Sequence, residues 1–178
     1  MNIKNNPIHI LNIEHEHISK LNNIIFTLKD EWKTDEQHYQ KQVEYIFYFL
    51  QKYSDGYHHF KEEEILFPAM SQHPEFLLQG ILDELKEHHE NFREYIAEAI
   101  DALEEKNFEK VQSILEKLIT ELMDHIAIEN DELFVMAENL FTEKELEEIF
   151  FRFSDIDREL GKENKLEIEK IPALIKTS

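Results

Sequence analysis

Apolar residues recur along this chain at the three- and four-residue steps of an α-helix, in five successive blocks. The first follows Pro7, a residue suited to a first helical turn, and carries two apolar lines: Ile8, Leu11, Ile18 and Ile25, and Ile10, Leu21, Ile24 and Leu28. It runs to about Trp32, before a short loop at Lys33-Thr34-Asp35. The second spans about Asp35 to Met70, with Val43, Phe47, Leu50, His58, Glu62, Ile65 and Ala69 on one side. Gly56 lies inside it, at a typical cost of about 1 kcal/mol relative to Ala. The third takes about Phe76 to Glu105, with Ile81, Leu85, His88, Phe92, Tyr95 and Ala99 in register. The fourth, after Lys106-Asn107, has the cleanest repeat: Leu115, Leu118, Leu122, His125, Glu129, Leu133 and Met136. Thr142 and Glu145 form a capping-box pattern that opens a fifth helix, about 143–160, ended by Gly161.

Long helices with short connections predict an all-α fold: an up-down-up-down four-helix bundle over about 8–140, an additional C-terminal helix, and a loosely docked extension over 161–178, all in one domain. Composition agrees, since 3 Gly and 4 Pro leave little of the punctuation that strands and hairpins need. The net charge of -20 would repel phosphate backbones and anionic membranes, which argues against nucleic-acid and membrane partners. The absence of Cys removes disulfides, iron–sulfur ligation and thiol catalysis. No apolar run approaches the ~20 residues of a membrane span, so a soluble cytoplasmic protein is expected.

Chemistry enters where the helical pattern admits polar residues. His58 and Glu62, His59 and Glu63, and His125 and Glu129 are each four residues apart, one helical turn, on a shared face. With so many Glu and His the spacing alone is weak. Its placement is the stronger signal, because core carboxylates are costly unless paired or bound to a metal. The core line of the second helix passes through Phe47, Leu50 and His58, whereas the line through His59 meets Lys52 and Asp55. The same test prefers His88, flanked by Leu85 and Phe92, over His89, flanked by Lys86 and Arg93. His15 and His17 both lie on apolar lines, and pattern does not choose between them. At ~1.5 Å rise per residue, one layer of an antiparallel bundle can hold a histidine from each of the four helices. Imidazole and carboxylate ligands converging on one layer suit two metal ions.

The segments IEHEHI, DGYHHFKEEEILFP, LKEHHENF and DHIAIENDELF resemble the signature of the hemerythrin-like, cation-binding HHE family, from about His9 to Phe134. The resemblance implies a four-helix bundle around two non-haem iron ions, oxo- or hydroxo-bridged. The ligands it implies are His15, His58, Glu62, His88, His125 and Glu129, with the two glutamates bridging. Oxygen-carrying members have a further histidine one turn after the third-helix ligand, where this chain has Phe92. They also use HxxxxD in the last helix, where Asn130 stands at the aspartate position. Four His and two Glu leave more open coordination positions than reversible oxygen carriage requires. The expected function is therefore the binding, sensing or reduction of a small oxidant: dioxygen, nitric oxide or peroxide. The alternatives are an oxygen or iron storage protein without turnover, and a ferritin-like carboxylate oxidase. The latter is disfavoured because only Glu14 and His17 have its ExxH spacing.

Overall fold

The structure, a computed structural model, describes residues 5–177 and contains no strand among them. Helix α1 (Pro7–Thr27) starts at Asn6, whose side chain accepts the Ile8 backbone N–H at 2.9 Å, with Pro7 in the first turn. It stops five residues short of the expected end. Asp30 turns into the left-handed region (φ 67°), and a 3₁₀ turn over Glu31–Lys33 redirects the chain. Asp35 caps α2, a continuous helical run over 36–72. Helix α3 (Gln79–Glu104) and α4, a run over 108–140 capped by Asn107, follow. Helix α5 (Glu143–Leu160) begins with the expected capping box, in which Thr142 and Glu145 satisfy each other's backbone N–H groups. Helices α6 (Lys162–Ile168) and α7 (Ile171–Leu174) complete the described chain.

Two helices depart from α geometry in the middle. In α2, Leu50–His59 and Glu62–Leu66 are π-helical, and in α4 so is Glu129–Leu133. Backbone N–H groups there reach back five residues, from Phe60 to Asp55, Phe67 to Glu62, and Phe134 to Glu129. A Cβ added at Gly56 would come to 3.3 Å from the Gln51 carbonyl oxygen, which belongs to this same widened turn. The close backbone at Gly56 is its own helix rather than a neighbour.

The apolar core is divided in two. One cluster unites Ile18, Leu21 and Ile25 of α1 with Val43 and Phe47 of α2, Phe92 and Ile96 of α3, and Leu115, Leu118 and Leu122 of α4. The other unites Ile8 and Leu11 of α1 with Ile65 and Phe67 of α2, Leu82 and Leu85 of α3, and Leu133 and Phe134 of α4, under Ile149 and Phe153 of α5. Between them each of the four long helices contributes buried polar residues. The C-terminal segment is packed rather than loose, since Ile168, Ile171 and Ile175 lie within the first cluster. No described helix is long and apolar enough to cross a membrane.

Candidate metal centre

The polar layer holds two adjacent groups of side chains whose ligating atoms lie within 4.8 Å of one another: His15, His58, Glu62 and Glu129, and beside them His59, His89 and His125. The two carboxylates face both groups. Glu129 Oε2 is 3.2 Å from Nε2 of His15 and 3.2 Å from Nε2 of His125. Glu62 stands 3.5 Å from His58 Nε2 through one oxygen and 3.7 Å from His89 Nε2 through the other. Nε2 of His89 and of His125 meet at 3.0 Å. All seven side chains are buried.

The opposite ring nitrogens explain why the Nε2 atoms are available. His15 Nδ1 donates to Asn130 Oδ1 at 2.7 Å, and His89 Nδ1 to Glu63 Oε1 at 2.7 Å. His58 Nδ1 faces Glu14 Oε2 at 3.3 Å, and His59 Nδ1 faces Asp55 Oδ1 at 3.4 Å. Three partners are carboxylates and the fourth presents its amide oxygen, so the proton sits on Nδ1 and the Nε2 lone pair points inward. Arg93 fixes two of these acceptors together, donating to Asp55 at 2.9 Å and to Glu63 at 2.8 Å. Six of the inward atoms nevertheless find no hydrogen-bond partner. His15 Nε2, His58 Nε2 and both oxygens of Glu62 and of Glu129 are buried without a hydrogen bond. Buried polar groups are seldom left this way, and six in one space describe a cation's donor set.

Electrostatics prepare the same state. Burial pushes His58 down to about 4, with the neighbouring His15 acting the same way and the Glu14 hydrogen bond opposing. Burial likewise takes His59 to about 4 and His89 to about 3. These rings are therefore neutral at neutral pH, the state in which an imidazole can hold a metal. Burial and the charge of Glu129 hold the Glu62 carboxyl well above the ordinary carboxylate range. Burial would raise Glu129 too, but His125 and His15 outweigh it and hold this carboxyl well below.

Of the residues expected from sequence, His15, His58, Glu62, His125 and Glu129 converge here. His88 does not join the inner set. It is half-buried, and its Nδ1 lies 3.3 Å from His125 Nδ1, on the outer side of that ring. His89 takes the inner position, because the buried residues of α3 step through Leu82, Leu85, His89, Phe92, Ile96 and Ala99. His59, set aside as off the core line, is also inside, because the π-helical turn brings consecutive residues onto one face. His17 lies outside, with its Nδ1 3.0 Å from Lys20 Nζ. Phe92 packs edge-on to His125 at 5.4 Å between ring centroids. The fifth histidine that position 92 lacks comes from elsewhere, since His59 makes five histidines in the layer. Glu14, Asp55, Glu63, Arg93 and Asn130 were not anticipated. The sequence signals near these roles are that Asp55 precedes His59 by four residues, as His59 precedes Glu63, and that Asn130 stands five residues after His125.

No match was found among curated proteins, and none among solved structures. The family model described as hemerythrin HHE cation binding domain matches residues 6–137, which span every one of the seven inner side chains. The chain belongs to the hemerythrin HHE cation-binding domain family.

Proposed function

We propose that this protein is a non-haem diiron protein that binds, senses or reduces a small oxidant such as dioxygen, nitric oxide or peroxide. His15 and His58 would hold one iron and His59, His89 and His125 the other, with Glu62 and Glu129 within reach of both groups. The observation that carries this reading is the set of six buried donor atoms of His15, His58, Glu62 and Glu129 that point into one space without a hydrogen bond. Iron is the metal that the family resemblance implies, and imidazole with carboxylate suits it. Bound iron would supply the electrons and the binding position for the oxidant. The protein's own part is to keep neutral imidazoles aimed inward, to keep two carboxylates between the ions, and to exclude bulk water with the apolar clusters on either side. The split clusters also support an up-down-up-down four-helix bundle. One cluster combines the late part of α1, the early part of α2, the late part of α3 and the early part of α4, and the other combines the complementary parts.

A second reading, reversible binding without turnover, is favoured by the five histidines in the layer. Open positions were the reason to prefer reduction, and with His89 in the place expected for His88, His59 fills one of them. One experiment serves both readings. The protein is loaded anaerobically with ferrous iron, its metal content is measured, and dioxygen, nitric oxide and peroxide are added while spectra are followed. Two irons per chain and an oxidant-dependent charge-transfer band are expected. One metal per chain, or a spectrum indifferent to all three ligands, would refute the diiron reading. Release of dioxygen under vacuum would select reversible binding.

A further inference from the structure

Outside the inner ligands lies a second buried polar group, a closed ring of alternating charges. Lys61 Nζ is 2.6 Å from Glu14 Oε1 and 2.6 Å from Asp157 Oδ1. Lys165 Nζ contacts the same Glu14 oxygen and lies 3.1 Å from Asp157 Oδ2. The four residues come from α1, α2, α5 and α6, and two of them, Asp157 and Lys165, lie beyond the residues matched by the family model. Lys61 is fully buried and Glu14 nearly so. Two acids and two bases sum to zero, which is how four ions can occupy a core without an unpaired charge.

We propose that Lys165 and Asp157, on helices that follow the family domain, are positioning residues of the metal centre, acting through Glu14 on the ring of His58. The inference rests on the reading that His58 is a ligand. Glu14 uses one oxygen for the two lysines and the other for His58 Nδ1, at 3.3 Å. With two ammonium groups on Oε1, the carboxylate cannot turn, and Oε2 stays on the imidazole. Solvent is not available to replace a lost partner at a residue 1% exposed. Asp157 in turn keeps both lysines on Glu14. The arrangement makes the two imidazoles of one group unequal, since His15 is oriented by the neutral amide of Asn130 and His58 by a carboxylate. The segment bearing Lys165 is itself pinned. The Tyr53 hydroxyl donates to Glu169 at 3.0 Å, the Tyr57 hydroxyl donates to the Gly161 carbonyl at 3.2 Å, and Ile168 and Ile171 are buried in the core.

The test compares wild type with Lys165→Met, which keeps the stem and removes the charge, and with Lys165→Arg, which restores a cation. Three quantities are measured: the ring ¹⁵N resonances of His58 in the metal-free protein, the anaerobic ferrous-ion dissociation constant, and the melting temperature. Lys165→Met is expected to disturb the His58 Nδ1–H signal and to weaken ferrous binding about tenfold, with recovery in Lys165→Arg. Should Lys165→Met fail to fold, Asp157→Asn, at the more exposed edge of the ring, carries the same expectation for both readouts. A lower melting temperature with His58 resonances and iron affinity unchanged would overturn the proposal and leave these residues a purely structural role. The two failures are distinguishable. If wild type takes up no iron pair, the diiron reading falls, and the His58 signal in the metal-free variants still decides the positioning role.

Discussion

Truncating His89 and His88 in parallel separates the two ways of filling the α3 position of the centre. His89 is fully buried, stacked on His59 at 3.8 Å between centroids and edge-on to His125 at 4.8 Å. His89→Ala removes one of three imidazoles from its group, so the expected metal content falls from two irons to one. It also opens a void beside two rings and leaves Glu63 with Arg93 alone. By analogy with large-to-small core changes, the metal-free protein should lose about 2–4 kcal/mol. His88→Ala acts differently. His88 is half-buried, beside Phe92, and meets His125 at that ring's outer nitrogen. Loss of such an orienting partner typically weakens a metal site about 10–100-fold, or about 1.4–2.7 kcal/mol, without changing its stoichiometry. Metal analysis after anaerobic loading gives the stoichiometry, and ferrous titration together with urea unfolding gives the two energies. Two tightly held irons in His89→Ala, with one iron lost in His88→Ala, would refute the assignment.

Iron uptake should also depend on pH with a definite sign. Glu62 titrates well above the ordinary carboxylate range in the metal-free protein, so metal must displace its proton. Ferrous affinity should therefore fall as pH falls, by up to about tenfold per unit, and Glu62→Gln should flatten the slope even as it weakens binding; an affinity indifferent to pH would count against a shared Glu62. Acid should destabilise the metal-free fold as well. The unfolded chain protonates its histidines near 6.5, whereas His58 and His59 stay neutral down to about 4. Stability is thus lost as pH drops between those values, by at most about 3 kcal/mol for each group; urea unfolding at stepped pH measures it, and a flat profile would contradict the burial. Finally, Ile168→Ala should cost about 2–4 kcal/mol, because this side chain is only 2% exposed within the core. A change under about 0.5 kcal/mol, the usual scale of a surface substitution, would mean that the C-terminal segment contributes little.

The helices were legible because apolar spacing is a local property, and so was the capping box at Thr142. The same spacing carried His15, His58, Glu62, His125 and Glu129 into a common layer. It failed at the His88-His89 doublet for a definable reason. Both residues stand three or four positions from Leu85 and from Phe92, so the apolar line does not rank them. The tie was broken by Arg93, whose charge suggested solvent. In the fold Arg93 lies across Asp55 and Glu63 and supports the residues that hold His59 and His89. Glu14 had no local signature of its place beside His58, because its partners His58, Lys61 and Lys165 are 44, 47 and 151 residues away. The docked C-terminus left a trace in the spacing of Ile168, Ile171 and Ile175, but Gly161 and Pro172 interrupted the pattern around it.

The π-helical turns account for the remaining differences together. On an α-helix consecutive residues point about 100° apart, so a reader must choose one member of each polar pair for the core. In this protein both members of three such pairs serve the centre. His58 and His59 both face inward; Glu62 faces inward while Glu63 holds His89; Glu129 faces inward while Asn130 holds His15. Each pair belongs to one of the three π-helical stretches, and the two inner carboxylates each open a π-helical turn, Glu62–Leu66 and Glu129–Leu133. A wider turn brings neighbouring side chains closer in direction, and π turns are frequent at functional sites. Two helices thereby supply from adjacent positions what strict α geometry would need further helices to provide, which is how a layer between four helices holds seven inner donors and the acceptors that aim them.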